Sequence, residues 1–183
     1  MLKNSRSAYG WVAIVLHWVI ALTVIGQFSI GLYMVSLNYH SPLYHTLPDY
    51  HKAVGILLAA VLVFRALWMV LNHRPQAASG VAPWEHKISR VVQWLMNLLL
   101  FVVVVMGYLM STAAGDSIDV FGLFEIPASV TSIEQQEDWA GNLHYWFALS
   151  VIALATLHGL AALKHHFLDK DRTLKRMFGI KET

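Results

Sequence analysis

Ten histidines occur in this chain of 183 residues, and four of them fall in or at the edge of long apolar segments: His17, His51, His144 and His158. A polar ring within an apolar segment is costly unless it binds something, and a neutral imidazole is a common metal ligand. Fourteen residues separate His144 from His158. On one α-helix, both rings would point the same way at depths about 21 Å apart. This spacing predicts a helix that supplies one ligand to each of two sites.

Four segments have the length and composition to position these histidines within a membrane. About 20 mostly apolar residues cross the hydrocarbon of a bilayer, and lipid forces such a segment to be helical. The chain is 57% apolar, and its apolar residues come in long blocks. We therefore predict an all-α integral membrane four-helix bundle that forms a single domain over residues 1–183. Its helices are predicted at residues 11–37, 51–71, 91–114 and 139–163.

The distribution of lysine and arginine predicts the orientation of the bundle. Twelve of the thirteen basic residues flank the helix ends on one side, and Lys52 lies on the other. The positive-inside rule then places both termini in the cytoplasm. We expect the basic tail 164–183, which includes Lys181, to form a cytoplasmic surface helix. The acidic loop 115–138 is expected to be periplasmic and to contain a short surface helix.

The four histidines sort by depth into two pairs that cross the bundle. His17 lies a couple of turns from the cytoplasmic end of the first helix, at the depth of His158. His51 opens the second helix on the outer side, at the depth of His144. We call His17 and His158 the inner pair, and His51 and His144 the outer pair. Facing imidazoles suit a planar metal macrocycle, because haem iron takes one axial ligand on each side.

Two haems are therefore predicted, one bound through its iron by each pair. The absence of cysteine excludes a thiolate metal site and covalent haem attachment. A metal transporter would need cysteine, clustered methionine or acidic ligands, and a proton-coupled transporter usually has Asp or Glu within its spans. The predicted spans contain no Asp or Glu. We expect membrane lipid to surround the protein, and we expect no nucleic-acid partner.

Three further residues are candidates for contacts with the haems. Arg65 follows His51 by fourteen residues and is placed to pair with a propionate of the inner haem, or to extend its side chain to the cytoplasmic boundary. Gly31 follows His17 by fourteen residues and would let a flat ring approach closely, or serve helix packing alone. Lys52 would neutralise an outer propionate, or lie at the interface without a specific contact.

The other six histidines lie outside the predicted spans, and we expect them to be solvated polar residues. They are His40, His45, His73, His86, His165 and His166.

Several stretches resemble the bacterial cytochrome b561 family over essentially the whole chain. They are VLHWVIAL around His17, HKAVGILLAAVLVFR from His51, NLHYWF at His144, and TLHGLAALKHHF around His158 with DKDRTLKRM after it. The resemblance implies a multi-pass protein of the bacterial inner membrane with two b haems held non-covalently by these four histidines. It also implies electron transfer between quinone and another partner. A looser likeness extends to the cytochrome b anchors of hydrogenases and formate dehydrogenases.

Two functions remain open at this stage. The chain is either an enzyme that reduces quinone with superoxide or another small donor, or an electron-carrier subunit for a periplasmic redox protein. The predicted outer side carries seven carboxylates and one lysine, which gives it a formal charge of −6. Attraction of the superoxide anion calls for positive potential, so this face suits a basic protein partner at least as well. Four residues near the cytoplasmic leaflet are candidates to line a quinone pocket or to serve packing alone: Trp18, Gln93, Trp94 and Asn97.

Overall fold

Four long helices make up most of the computed structural model, which describes residues 1–76 and 81–180. They are α1 (Trp11–Ser36), α2 (Leu43–Leu71), α3 (Pro83–Ser111) and α4 (Gln136–Phe167). Each is long and apolar enough to cross a membrane. The predicted all-α membrane four-helix bundle is therefore confirmed, while the cytoplasmic location of the termini remains a prediction.

The surfaces of these helices are apolar. In the most hydrophobic stretch of each helix, only between 6% and 11% of the residues are buried within the protein. Large side chains such as Leu22, Val63 and Leu157 are about half exposed or more. Lipid is the solvent that such surfaces require, because contiguous apolar patches of this size are rare on soluble monomers.

Three helices begin earlier than hydropathy predicts: α2, α3 and, by three residues, α4. α2 begins at Leu43, whose N–H donates to the hydroxyl of Ser41 at 3.4 Å. α3 begins at Pro83, and the carboxylate of Glu85 accepts the N–H that precedes the helix, at 3.3 Å. A capping hydroxyl, a first-turn proline and a glutamate at the third helical position all start helices within polar sequence. As a result, His51 lies inside α2 rather than at its first residue.

The basic tail is less helical than predicted. Its first four residues complete α4, which ends at Phe167, and the only further helix among the described residues is the single turn α5 (Thr173–Arg176). The expectation of a surface helix along the tail is therefore wrong. Basic side chains favour the carboxyl end of a helix, which is consistent with the extension of α4 through Lys164 and two histidines. Lys181 lies outside the described residues.

The acidic loop contains a β-hairpin instead of the predicted surface helix. Strands β1 (Ile118–Val120) and β2 (Phe124–Ile126) pair antiparallel. Ile118 and Val120 are buried, at 3% and 0% exposure, and the residue between them is exposed. This alternation is the strand pattern of period two. The connecting residues Phe121 and Gly122 both have positive φ, 55° and 71°, which is typical of a type I′ hairpin turn.

Two side chains fix the loop to the helices that flank it. The hydroxyl of Tyr108 on α3 donates to the carbonyl of Pro127 at 2.7 Å and accepts the N–H of Ser129 at 2.8 Å. The buried amide of Gln136, the first residue of α4, donates to the carbonyls of Leu109 and Val130. The loop is therefore an ordered cap, since its backbone is bonded at several points.

The chain divides into two compact units, and each unit contains segments of all four long helices. The first unit comprises Met1–Ala21, Val61–Asn97 and Ala153–Thr183. The second comprises Leu22–Ala60 and Leu98–Ile152. The inner pair of histidines belongs to the first unit and the outer pair to the second.

In the first unit, Arg176 ties three separate segments together. Its guanidinium donates to the carbonyl of Gln76 at 2.9 Å and to the carbonyl of Ser7. The side chain of Asn4 donates to the carbonyl of His73 at 2.9 Å. The amino terminus, the connection after α2 and the tail are thus held by hydrogen bonds as one polar layer.

Candidate cofactor-binding sites

The inner pair is brought together by α1 and α4. The ring centroids of His17 and His158 lie 6.5 Å apart, with an angle of 67° between the ring planes. Both side chains are half-buried. The indole of Trp18 contacts His17 edge-on at 5.3 Å and donates a hydrogen bond to the carbonyl of Met177 in the tail. The tail therefore positions an aromatic wall of the inner site.

Arg65 of α2 lies close enough for its charge to act on both rings of the inner pair. Its guanidinium is half-buried and makes no ion pair with a carboxylate of the described residues. A buried cation without an anionic partner is unfavourable, so this position suits an anionic group supplied from outside the chain. The pairing of Arg65 with a propionate stays a prediction.

The outer pair is brought together by α2 and α4. The ring centroids of His51 and His144 lie 6.1 Å apart, with an interplanar angle of 76°. The Nδ1 atom of His51 is buried and has no hydrogen-bond partner among the described residues. The side chain of Gln27 on α1 donates to the backbone carbonyl of His51 at 2.7 Å, which ties the helices at this level.

The tautomer of His144 is set by α3. Its Nδ1 lies 2.8 Å from the carbonyl oxygen of Val103, and a carbonyl can only accept, so Nδ1 carries the proton. Nε2 is then the lone-pair nitrogen. An imidazole oriented in this way by a backbone carbonyl is the usual form of a histidine metal ligand.

A glycine that the sequence analysis did not single out makes this arrangement possible. A Cβ atom at Gly107 would lie 3.0 Å from both Cε1 and Nδ1 of His144, closer than an ordinary contact. The ring of His144 therefore lies directly against the backbone of α3. Gly107 is the single glycine of α3, and an isolated glycine in an apolar helix is a signal of close approach that could have revealed it.

Gly31 also faces the outer pair, as its spacing from His17 suggested. A Cβ atom there would lie 3.7 Å from Cε1 of His51, which is an ordinary contact distance. The absence of a side chain leaves room beside the ring, although an alanine would fit with little displacement. Gly107 is therefore the tighter of the two glycine contacts at this site.

Lys52 is already paired within its own helix. Its ammonium lies 2.8 Å from the carboxylate of Asp49. Both residues line an open cavity of about 470 Å³ together with Tyr44 and His45. The charge of Lys52 is therefore offset locally, which weakens its case as a counter-ion for a propionate.

The two pairs fit axial ligation of a haem iron. Since a histidine nitrogen binds a metal ion at about 2 Å, two imidazoles on opposite sides of one ion have their centroids roughly 6 Å apart. The observed separations of 6.5 Å and 6.1 Å match this value. The fixed tautomer of His144 agrees with it, as does the guanidinium of Arg65, which has no carboxylate partner among the described residues. The two histidine pairs thus fit haem, and the iron would need no thiolate or carboxylate ligand.

His165 departs from the expectation that it is a solvated residue. Its side chain is only 14% exposed, and Nδ1 lies 2.8 Å from a carboxylate oxygen of Asp171 and 3.0 Å from one of Asp169. The adjacent ammonium of Lys164 lies 2.8 Å from both Asp169 and Glu85. Because this ammonium already neutralises the carboxylates, the cluster is a charge network rather than a metal site. Among the other predicted surface histidines, His86 and His166 are half-buried and the remaining three are exposed: His40, His45 and His73.

Of the four residues considered for a quinone pocket, Trp18 alone contacts a histidine of the inner pair. Trp94 is 65% exposed, and the amide of Asn97 donates to the backbone carbonyl of Gln93 four residues earlier. The geometry therefore retains Trp18 as a candidate and gives the other three no contact that implicates them.

Comparison with known proteins agrees with this geometry. The chain matches the family described as prokaryotic cytochrome b561 over residues 8–179. It is 45% identical to cytochrome b561 homolog 2 of Escherichia coli over 176 residues, which cover 96% of this chain and 94% of the relative. It is 27% identical to the probable superoxide oxidase CybB of Yersinia pestis over 170 residues, 92% of this chain and 94% of that protein.

A third relative, cytochrome b561 homolog 1 of Escherichia coli, is 25% identical over 167 residues, covering 90% of this chain and 93% of the relative. The family match over residues 8–179 includes all four long helices and both histidine pairs. Haem b binding, electron transport and a multi-pass location in a bacterial membrane follow from the family. The chain therefore belongs to the prokaryotic cytochrome b561 family of membrane haem proteins.

Proposed function

We propose that this protein is a di-haem electron carrier that links the quinone pool to a periplasmic donor or acceptor. The observation that supports this most directly is the presence of two opposed histidine pairs with nearly the same ring separation, 6.5 Å and 6.1 Å. In this proposal, His17 and His158 hold the inner haem, and His51 and His144 hold the outer haem. Arg65 pairs with a propionate of the inner haem.

Haem b, when bound, supplies a reversible one-electron couple between ferric and ferrous iron. The two histidines of each pair would hold one haem, and a haem held by two histidines would supply electron transfer rather than oxygen binding. The carbonyl of Val103 strengthens Nε2 of His144 as a metal ligand by accepting a hydrogen bond from Nδ1–H. The positive charge of Arg65 stabilises negative charge and the reduced state at the inner site. The protein's own groups therefore adjust the potential of each site.

Quinone is the proposed partner at the inner site. Reduction of a quinone to the quinol takes two electrons and two protons, so the protein must deliver two single electrons in succession. If superoxide is the donor, two superoxide anions give two molecules of oxygen and the two electrons, and two protons come from the solvent. Trp18, beside His17, is the aromatic side chain best placed to contact a quinone ring.

Two electron donors remain as candidates, superoxide and a separate periplasmic redox protein. They place the chain in different functional classes. The name of the Yersinia pestis relative, probable superoxide oxidase, favours superoxide as the donor and an enzyme as the functional class. The pairing of Lys52 with Asp49 argues against superoxide, because the one lysine of the second unit is already neutralised. The alternative is an electron-transfer subunit for a separate periplasmic redox protein, without catalysis of its own.

The test uses the purified wild-type protein in detergent. Haem per chain is measured by pyridine-haemochrome absorbance, and we expect two. The oxidised protein is then mixed with a superoxide source, with and without added ubiquinone, and separately with ubiquinol. Haem reduction by ubiquinol, followed at visible wavelengths, is expected for either donor.

Rapid reduction by superoxide and reoxidation by ubiquinone would establish a self-sufficient enzyme and reject the carrier alternative. Two haems that respond to ubiquinol and ignore superoxide would establish the carrier. A single haem per chain, or no reaction with either quinone species, would refute the proposed function.

A further inference from the structure

The hairpin of the acidic loop has features that its own folding does not require. In the register of the two strands, Asp119 lies directly opposite Glu125, and both are exposed. Like charges in this position destabilise a strand pair. The carboxylate of Asp119 accepts the N–H of Gly122 at 3.0 Å, a bond that an asparagine could make equally well. The carboxylate of Glu125 accepts the hydroxyl of Ser117 at 2.6 Å, and a glutamine could likewise accept it. Neither hydrogen bond therefore requires the negative charge of its carboxylate.

The turn has a second unfavourable feature. Phe121 occupies the first central position with a φ of 55°, where asparagine or glycine is normally found and a bulky residue is strained. It is 44% exposed, beside Leu123 at 79% and Phe124 at 47%. The hairpin therefore presents an apolar tip next to two carboxylates. Violations of local rules in an otherwise regular structure concentrate at functional sites.

The tip lies close to the outer pair of histidines within the second unit. The ring of Phe121 packs against that of Tyr50 with centroids 5.9 Å apart. Tyr50 directly precedes His51 on α2. The contact between Phe121 and Tyr50 thus connects the exposed tip to the residue that precedes the proposed ligand His51. A redox protein seated on the tip would therefore contact a ring that packs on the residue next to His51.

The charge of the second unit selects the kind of partner. This unit contains seven carboxylates and one lysine, a formal charge of −6, and the lysine is bonded to Asp49. Six of the carboxylates are exposed within the loop and the first turn of α4: Asp116, Asp119, Glu125, Glu134, Glu137 and Asp138. Such a surface repels a second copy of itself and anionic lipid, and attracts a cationic protein.

We infer that the hairpin is the docking surface for a soluble, lysine-rich redox protein, which exchanges one electron at a time with the outer site. An apolar centre surrounded by charge is the usual anatomy of a transient interface. The inference rests on the proposed function, since it requires a haem at the outer pair. It goes further by assigning the partner's chemistry and the element that receives it.

The test is a stopped-flow measurement of electron exchange with a lysine-rich c-type cytochrome as the probe. The reduced protein, with haem content and ubiquinol reactivity measured on the same sample, is mixed with the oxidised probe. One electron passes to the ferric iron of the probe and no proton is exchanged. We expect a second-order rate constant that falls steeply with salt, and a much slower reaction with probe whose lysines are succinylated.

Two double variants localise the effect. Asp119→Asn with Glu125→Gln removes the opposed charges and keeps both hydrogen-bond acceptors. Glu134→Gln with Glu137→Gln removes the same charge from the end of the loop and the first turn of α4, outside the hairpin. At low ionic strength we expect the hairpin variant to react about tenfold more slowly and the control less than about threefold. At 1 M salt, where screening acts within about 3 Å, the three proteins should converge.

A single variant, Phe121→Asn, tests the apolar tip. Asparagine suits a positive φ, so the hairpin should fold at least as well while electron exchange slows at every salt concentration. Equal loss in both double variants, or none in the hairpin variant, would overturn the inference. If haem content and ubiquinol reactivity are normal in such a sample, the proposed function survives that failure.

Discussion

Replacing Gly107 with alanine is expected to weaken the outer site selectively. The new Cβ would lie 3.0 Å from two atoms of the His144 ring, whereas carbon atoms pack best at about 3.5–4.0 Å. The ring would have to move by roughly half an ångström to restore a normal distance. It cannot do so freely, because Nδ1 is bonded to the carbonyl of Val103 and, in our proposal, Nε2 is bonded to iron.

The magnitude follows from two opposing effects. Alanine is favoured over glycine in a helix by up to about 1 kcal/mol. Overpacking costs about 1–3 kcal/mol, and disturbing the partner of a metal-bound histidine typically lowers affinity about 10–100-fold. We therefore expect the outer haem to bind about 10–100-fold more weakly and the inner haem to be retained.

Haem per chain and redox titration of the visible spectrum measure this effect. The matched control is Gly26→Ala, a helical glycine of the same unit whose Cβ would meet nothing within 4 Å. It should retain both haems and gain helix stability. If Gly107→Ala holds two haems with an outer potential equal to that of the control, the proposed role of the glycine in positioning His144 is wrong.

Three other substitutions test the proposed assignments. His158→Ala should remove the inner haem and halve the haem per chain, while His165→Ala, seven residues further along α4, should keep both; full haem content in His158→Ala would reject the pairing. Arg65→Gln should lower the potential of the inner haem by tens of millivolts in a redox titration, because a nearby positive charge favours the reduced state; an unchanged potential would show that Arg65 acts only at the boundary. Arg176→Gln should lower the thermal midpoint by a few degrees through loss of its bonds to Ser7 and Gln76, with an unchanged haem spectrum; altered haem content would mean that the tail also supports the inner site.

Helix boundaries illustrate why part of the fold was not predictable from hydropathy. The apolar blocks located the spans, because lipid penalises polar residues wherever the chain crosses it. The starts of α2 and α3 lie outside lipid-like sequence and depend on Ser41, Pro83 and Glu85, which cap helices in polar surroundings. Hydropathy does not register such residues.

The hairpin shows a similar limit in the loop. Its two strands have three residues each, and the turn holds phenylalanine at a positive φ. Strands this short carry little pattern, and the usual asparagine–glycine signal is missing. Burial of Ile118 and Val120 by the surrounding chain decides the conformation here, so the local sequence alone could not.

The sequence by itself determined the four spans and the position of each histidine along them, since helical rise and lipid thickness are fixed quantities. Tertiary structure alone decided which atoms surround those histidines. The carbonyl of Val103, the bare backbone at Gly107 and the ion pair that neutralises Lys52 arise where side chains from different turns or helices meet. Periodicity gives the direction in which a side chain points. What that side chain contacts depends on how closely two helices approach, which the packing of the folded chain sets.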